Sequence, residues 1–194
     1  MIDTNNIISR NLDNLRLVID QFSEDQSYIV NQISDLITKT LIKGKCIFWC
    51  GNGGSAAQSQ HLAAELIGRF KENREPYKSF SLNSDSSIIT CIANDFGFND
   101  VFARQLEGLG NEGDLLIVLS TSGNSMNIKN AIIKAKSMNI KTISLLGKEG
   151  GLVKGLANHS LIINSKETSR VQEMHLLVGH IICEIVEDKL IGKN

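Results

Sequence analysis

Residues 50–65, CGNGGSAAQSQHLAAE, carry two patterns that predict different chemistry. Gly51 to Ala56 matches the G-x-G-x-x-A pattern of loops that bind dinucleotides. His61 and Glu65 lie four residues apart, so on a helix they share one face and could ligate one metal ion. The segment could therefore hold a nicotinamide cofactor, or a substrate beside a metal. Each pattern is weak by itself. A lone G-x-G-x-x-A is common by chance, and a single histidine more often has a structural role.

The dinucleotide interpretation lacks the second feature that it requires. An acidic residue should follow the glycine loop by ~20 positions, at the end of the next strand, where it would bind a ribose. Position 71 is a lysine, and the next predicted strand ends at Leu82-Asn83, with Asp85 a little beyond it. The sequence therefore favours the second interpretation, a substrate beside a metal.

A second loop, STSGNS at residues 120–125, has a composition typical of phosphate binding. It follows an apolar run and precedes a predicted helix, whose free amides and dipole favour an anion. The loop has no lysine, so it is not a Walker A loop. The alternative is an ordinary capping loop, since Ser and Thr commonly cap helices. Four of its six residues carry hydroxyl groups: Ser120, Thr121, Ser122 and Ser125.

The last predicted helix, residues 168–190, adds further candidate ligands. Gln172 and His180 lie eight residues apart, which is ~12 Å along a helix. Both can reach one site only if their side chains lean toward each other, or if a neighbouring subunit supplies one of them. Glu173 and His175 lie close by and are alternatives to them.

The order of the predicted elements indicates an α/β fold. Residues 1–43 have apolar residues at helical spacing, which predicts two helices, the second ended by Gly44, that serve packing or oligomerisation. From residue 46 strands alternate with helices, which indicates a parallel sheet with helices on both faces. The predicted strands are 46–50, 78–82, 115–119, 141–146 and 160–163, and the predicted helices between and after them are 55–70, 86–93, 101–109, 126–138 and 168–190.

Size, charge and cysteine usage narrow the classes of protein. A chain of 194 residues suits one domain, and a net charge of −1 gives no general attraction for nucleic acid or an anionic membrane. The opening residues show no basic n-region followed by an apolar h-region, and no apolar run reaches the ~18–20 residues of a membrane span. The cysteines at 46, 50, 91 and 183 contain no C-x-x-C pair. We therefore expect a cytoplasmic protein with reduced cysteines, whose partner is a small molecule or another copy of itself.

The sequence contains four segments that point to one family: CGNGGSAAQSQHLAAELIGRF, IANDFGFNDVFARQLEGLG, LSTSGNSMNI and TSRVQEMHLLVGH. Together they resemble the sedoheptulose 7-phosphate isomerases, or phosphoheptose isomerases, of the sugar isomerase (SIS) domain superfamily. The resemblance runs from about Lys45 to the C-terminus, and it implies that residues 1–194 form a single SIS domain. It also implies a three-layer α/β/α sandwich with a five-stranded parallel sheet and a homotetramer with active sites between subunits.

The resemblance also implies an activity and a site. Members of the family convert sedoheptulose 7-phosphate to D-glycero-D-manno-heptose 7-phosphate, the first step toward the activated heptose of bacterial surface polysaccharide. Glu65 would be the base and His180 the acid of the isomerisation. One Zn²⁺ per subunit would bind His61, Glu65, Gln172 and His180. The implied substrate contacts are Asn52, Gly53, Gly54, Ser55, Glu65, Asn94, Asp95, Ser120, Thr121, Ser122, Ser125 and Gln172.

Two alternatives within the superfamily involve no catalysis. One branch of similar sequence binds the bacterial replication initiator DnaA, but it lacks the acid at position 65 and the histidine at position 180. It also alters the second glycine and the serine loop, all of which this sequence keeps. A SIS domain that senses sugar phosphates for a transcription factor is the other alternative, and the sequence has no visible DNA-binding region. The sequence therefore favours the isomerase.

Overall fold

The computed structural model describes residues 3–192. Its strands are β1 (Ile47–Gly51), β2 (Ser79–Ser81), β3 (Leu115–Ser120), β4 (Lys141–Gly147) and β5 (His159–Ile163). Its helices are α1 (Thr4–Asp20), α2 (Glu24–Ile42), α3 (Gly54–Ile67), α4 (Ser86–Asp95), α5 (Val101–Leu109), α6 (Met126–Ser137) and α7 (Thr168–Ile191). Short 3₁₀ turns lie at Phe98–Asp100 and Gly151–Val153.

The five strands form one sheet in the order β2-β1-β3-β4-β5, and every neighbouring pair is parallel. This confirms the predicted five-stranded parallel sheet. In its register Gly51 of β1 lies beside Leu119 of β3, and the next residue of β3 is Ser120. The glycine loop and the serine loop therefore leave the sheet side by side at its carboxyl edge, which is where open parallel sheets bind ligands.

Side chains of the central strands alternate between two apolar cores. Ile47 and Trp49 of β1 pack with buried residues of α2, α3 and α7, whereas Phe48 and Cys50 pack with those of α4, α5 and α6. A strand that is covered on both faces has no side exposed to solvent. Its sequence is therefore apolar throughout and does not alternate between apolar and polar residues. The two cores establish the predicted three-layer α/β/α sandwich.

The two N-terminal helices differ in how deeply they pack. Helix α2 places Val30, Ile33 and Ile37 in the core beside α7. Helix α1 has no buried residue, and several of its large apolar side chains face outward: Ile7, Ile8, Leu12, Leu17 and Ile19. Helix α2 is thus part of the domain core, and the predicted role of residues 1–43 in oligomerisation concerns mainly α1.

The cysteines are unpaired, as the sequence predicts. Burial raises the pKa of the Cys46 thiol to about 11 and that of Cys183 to about 12, so both stay protonated and unreactive at neutral pH. Among residues 3–192, no helix combines the length and the apolar character that crossing a membrane requires.

Helix α3 is the element whose predicted boundary differs in a way that matters for the site. The apolar pattern predicts a helix to residue 70, but α3 ends at Ile67. The backbone N–H groups of Phe70, Lys71 and Glu72 donate to the Glu187 carboxylate of α7 instead of continuing the helix. Gly68, the C-cap residue directly after Ile67, is a local stop signal, and the contact with Glu187, which is distant in sequence, holds the chain that leaves the helix.

We predict that His175 makes the fold sensitive to mild acid. The side chain is fully buried, and neither ring nitrogen has a hydrogen-bond partner of ordinary geometry within residues 3–192. Burial lowers the pKa of its imidazole from 6.5 to about 4, and the Leu146 carbonyl offsets this only in part. Below pH 6.5 the imidazole of His175 is therefore protonated in the unfolded chain but stays neutral in the folded chain, and the free energy of unfolding falls.

The measurement is urea unfolding of the wild type and of His175→Asn at pH 8 and pH 5. Between these values the wild type should lose about 2 kcal/mol more unfolding free energy than the variant. His159→Asn, on the partly exposed β5, serves as the control and should behave like the wild type. If the unfolding free energies of the wild type and of His175→Asn fell equally between pH 8 and pH 5, the pH sensitivity would not come from His175.

Candidate active site

The glycine loop turns sharply from β1 into α3. The side chain of Asn83 holds Gly51, the last residue of β1, with two hydrogen bonds. Its Nδ2 donates to the Gly51 carbonyl at 2.9 Å, and its Oδ1 accepts from the Gly51 N–H at 3.1 Å. Gly53 has φ +55°, a conformation that strains other residues. A Cβ on Gly54 would collide with the side-chain amide of Gln172. These two glycines therefore allow the tight turn and the close approach of α7.

A reciprocal amide pair joins this loop to the serine loop. Asn52 Nδ2 donates to Asn127 Oδ1 at 2.9 Å, and Asn127 Nδ2 donates to Asn52 Oδ1 at 2.8 Å. Asn127 belongs to α6 and is only 2% exposed, and its Oδ1 also accepts from the Ile128 N–H at 2.9 Å. Asn127 and Asn83 are site residues that the sequence did not single out, because their partners are 75 and 32 positions away.

The hydroxyls of the serine loop do not cap α6 in the ordinary way. Ser120 Oγ accepts from the Gly123 N–H at 3.1 Å, and Ser122 Oγ accepts from the Asn124 N–H at 3.2 Å, which shapes the loop itself. Ser125 occupies the N-cap position of α6, yet its side chain makes no capping hydrogen bond. The first amides of α6 are therefore not taken by the Ser125 hydroxyl, as they would be in an ordinary capping loop.

Three candidate ligands from two helices converge at one point. His61 Nε2 lies 3.2 Å from Glu65 Oε1 and 2.8 Å from His180 Nε2. Their ligating atoms all lie within 4.8 Å of one another. The helices can approach this closely because residue 179 is glycine, where a Cβ would meet the Leu62 side chain at 2.6 Å. The structure thus brings together three of the four predicted metal ligands.

Aromatic contacts fix the plane of the His180 ring. Phe70 stacks on it with ring centroids 5.6 Å apart and an interplanar angle of 25°. His61 meets it edge to face, with centroids 5.0 Å apart. On the other side the group is open, because the side chains of His61 and Glu65 are 46% and 22% exposed. A substrate can therefore reach the carboxylate of Glu65 and the imidazoles from solvent.

The donor set fits a divalent transition metal. Imidazole nitrogens with a carboxylate oxygen form a typical ligand set for zinc. Gln172, the fourth predicted ligand, lies elsewhere in this chain. Its side chain packs on Gly54, seven residues and about 10 Å along α3 from His61. Its membership of the ligand set stays a prediction.

The other predicted substrate residues lie around the carboxyl edge of the sheet. Ser55 is buried in the first turn of α3, and Thr121 is half-buried in the serine loop. Asn94 and Asp95 are exposed at the end of α4, where Asn94 Nδ2 donates to Asp95 Oδ1 at 2.8 Å. Within residues 3–192 neither of these two side chains hydrogen-bonds the glycine loop or the serine loop, so their place in a substrate site stays a prediction.

Comparison with known proteins identifies the family. A family model described as the SIS domain matches residues 11–147. The phosphoheptose isomerase of Helicobacter pylori strain 26695 is 44% identical over 194 residues, which is the whole of both chains. That of Akkermansia muciniphila is 49% identical over 163 residues, 84% of this chain and 86% of the relative.

The chain belongs to the phosphoheptose isomerase family of SIS-domain proteins. Solved structures of the family share its fold. The phosphoheptose isomerase of Neisseria gonorrhoeae superimposes with a TM-score of 0.88 at 31% identity, covering 95% of this chain and 98% of the other. That of Francisella tularensis gives a TM-score of 0.90 at 28% identity, covering 96% and 100%. The family resemblance predicted from four sequence motifs is confirmed.

We predict that His61→Ala abolishes metal binding at the three-residue group. Zn²⁺ affinity should fall by more than the roughly 10–100-fold that is lost when a residue that only orients a ligand is removed. The measurement is calorimetric titration of metal-free protein with Zn²⁺, together with metal analysis of the purified protein. His159→Ala removes a histidine from β5 and serves as the matched control. Unchanged zinc content in His61→Ala would contradict the assignment.

Proposed function

We propose that the protein is a ketose–aldose isomerase that converts sedoheptulose 7-phosphate to D-glycero-D-manno-heptose 7-phosphate. The observation that carries this proposal is the convergence of His61 and Glu65, on the helix that follows the glycine loop, with His180 of α7. It occurs in a chain that matches a phosphoheptose isomerase from end to end. The same chemistry would make it the first enzyme toward the activated heptose of bacterial surface polysaccharide, acting in the cytoplasm.

The reaction needs a base and an acid at adjacent carbons. Glu65 removes the proton from C1 of the ketose, which gives an enediol, and returns it to C2 to form the aldose. Over the same two steps a hydroxyl proton passes from the oxygen of C1 to the oxygen of C2, and His180 serves as the acid for this transfer. The His180 ring contacts His61, and His61 contacts Glu65. The proposed acid and base therefore lie close enough to act on adjacent atoms of one substrate.

The metal that suits this site is zinc, one ion per subunit, held by His61, Glu65 and His180. Gln172 is the proposed fourth ligand. When bound, such an ion would supply a Lewis acid that polarises the carbonyl of the sugar.

The two loops bind the part of the substrate that does not react. Ser120, Thr121, Ser122 and Ser125 would donate hydrogen bonds to the phosphate at the N-terminus of α6, where the helix dipole favours negative charge. Binding energy from this remote phosphate holds the sugar against the acid and base. The remaining proposed contacts to the sugar are Asn52, Gly53, Gly54, Ser55, Asn94, Asp95 and Gln172.

Assembly into a homotetramer with active sites between subunits accounts for several exposed features. Helix α1 presents a row of apolar side chains to solvent, and Phe96 and Phe98 are 52% and 58% exposed directly after Asn94 and Asp95. A second copy placed there would bury these apolar groups. Assembly would also resolve the position of Gln172, which lies far from the three-residue group of its own chain. Nucleic acid and membranes are not among the partners that we propose.

No observation favours the alternative of an adaptor for DnaA. The residues that would be lost in such a protein, Glu65 and His180, are present and lie together with His61.

The decisive test is turnover of sedoheptulose 7-phosphate by the wild type and by Glu65→Gln. Loss of the base should lower kcat by roughly 10²–10⁴-fold, the usual contribution of a positioned general base, with the fold intact. Product is measured in a discontinuous assay with added Zn²⁺. Glu107→Gln, which removes an exposed carboxylate of α5, should keep wild-type activity. Absence of turnover by the wild type under these conditions would contradict the proposed function.

A second test concerns the amide pair between the two loops. Asn127→Ala removes both hydrogen bonds to Asn52 and leaves that amide without its partner. We expect kcat/KM to fall about tenfold, which corresponds to the loss of one or two net hydrogen bonds. Asn31→Ala, an exposed asparagine on α2, is the matched control. Equal kcat/KM values for Asn127→Ala and the wild type would show that the loops hold their places without the pair.

A further inference from the structure

Arg74 and Glu187 form a buried ion pair just beyond the three-residue group. Arg74 Nε donates to Glu187 Oε1 at 2.8 Å, and the two side chains are only 4% and 2% exposed. Glu187 lies seven residues after His180 on α7, and Arg74 lies in the segment between α3 and β2. Neither residue takes part in the proposed chemistry.

The guanidinium of Arg74 also reaches back to the end of α3. Its Nη2 donates to the Glu65 carbonyl at 2.9 Å, and its Nη1 donates to the Leu66 carbonyl at 2.9 Å. The last carbonyls of a helix lack partners within the helix. The Leu66 carbonyl also accepts from the Tyr77 N–H at 3.1 Å, whereas the partner of the Glu65 carbonyl is Arg74. Arg74 thus fixes the backbone of the residue whose carboxylate is the proposed base. The Tyr77 ring, 3.9 Å away, supports the guanidinium plane.

The carboxylate of Glu187 binds the backbone of the segment that follows α3. It accepts from the backbone N–H groups of Phe70, Lys71 and Glu72 at 3.2, 2.8 and 3.0 Å. Burial raises the pKa of Glu187, but these hydrogen bonds and the one from Arg74 outweigh it and hold the pKa below its usual value. The ionised carboxylate therefore fixes the segment that carries Phe70, whose ring stacks on His180.

A buried ion pair is a poor means of gaining stability, because removing two charges from water costs about as much as their attraction returns. What this pair does provide is geometry, since six hydrogen bonds from two side chains converge on the backbone of residues 65–72. We infer that Arg74 and Glu187 are positioning residues that hold Glu65 and Phe70 in place, and through Phe70 the ring of His180. This inference rests on the proposed function of that site.

Two variants test the inference. Arg74→Lys keeps the charge that pairs with Glu187. A single ammonium group, however, cannot reproduce the hydrogen bonds that the two Nη atoms of the guanidinium donate to the carbonyls of Glu65 and Leu66. Glu187→Gln keeps the shape and removes the charge. For each we expect kcat per folded molecule to fall by roughly 30–100-fold, as small misplacements of catalytic groups do, while KM stays within about threefold. The affinity for Zn²⁺ alone should fall about tenfold, because residues that orient metal ligands act on affinity.

The chain offers a matched control in Lys71 and Glu184. This pair joins the same loop to the same helix at 2.5 Å, but its side chains are 56% and 44% exposed, and within residues 3–192 neither of them hydrogen-bonds a backbone carbonyl of α3. Lys71 Nζ lies 5.8 Å from the centroid of the Phe70 ring, and Glu184→Gln changes neither residue of that contact. Glu184→Gln should therefore leave kcat and Zn²⁺ affinity within about twofold of the wild type, as loss of an exposed ion pair does. Glu187→Asp retains a carboxylate and should recover part of the kcat that Glu187→Gln loses.

Folded fractions are measured by circular dichroism and thermal unfolding, so that kcat refers to folded molecules only. Wild-type kcat and Zn²⁺ affinity in Arg74→Lys and Glu187→Gln would overturn the inference, as would equal losses in Glu184→Gln. A rise in KM with unchanged kcat would also overturn it, since that result places the pair in substrate binding. If the wild type itself shows no turnover, the proposed function fails, and the Zn²⁺ affinities of the variants still decide the positioning role.

Discussion

The close parallel packing of α3 against α7 is the contact on which the candidate site depends. Contacts advance together along the two helices: Gly54 meets Gln172 near their N-termini, and further along His61 and Leu62 meet His180 and Gly179. Glycine at 179 is what permits the distance, because a Cβ there would overlap Leu62. A larger residue would separate the helices, and with them His180 from His61 and Glu65, since packed helices adjust poorly to added volume.

The site divides into two ends that are held by different means. The glycine and serine loops leave adjacent parallel strands, and the Asn52–Asn127 pair ties them to each other. The group of His61, Glu65 and His180 lies further along α3 and depends on helix packing and on the contacts of Arg74 and Glu187. In the proposed function, binding and proton transfer would thus rest on separate supports, which suits a reaction in which the phosphate stays fixed while protons move at the other end of the sugar.

Local patterns predicted the fold well because each pattern has a direct physical cause. The run Leu115–Leu119 is apolar throughout because β3 is covered on both faces, and the order of strands and helices leaves few ways to wind a parallel sheet. The end of α3 was the exception, since Glu187 takes the amides that would have extended it. Asn83, Asn127 and Arg74 gave no signal in the sequence, because asparagine and arginine are ordinary surface residues until a distant partner buries them.

The sequence alone determined the α/β class, the two loops at the carboxyl edge and the family, because these follow from residue type and spacing along one segment. It also determined that His61 and Glu65 share a helix face. Only the tertiary structure decided that His180 joins them while Gln172 lies against Gly54, since both outcomes depend on the register between α3 and α7. That register is set by side chains more than a hundred positions apart, and no spacing along a single chain segment encodes it.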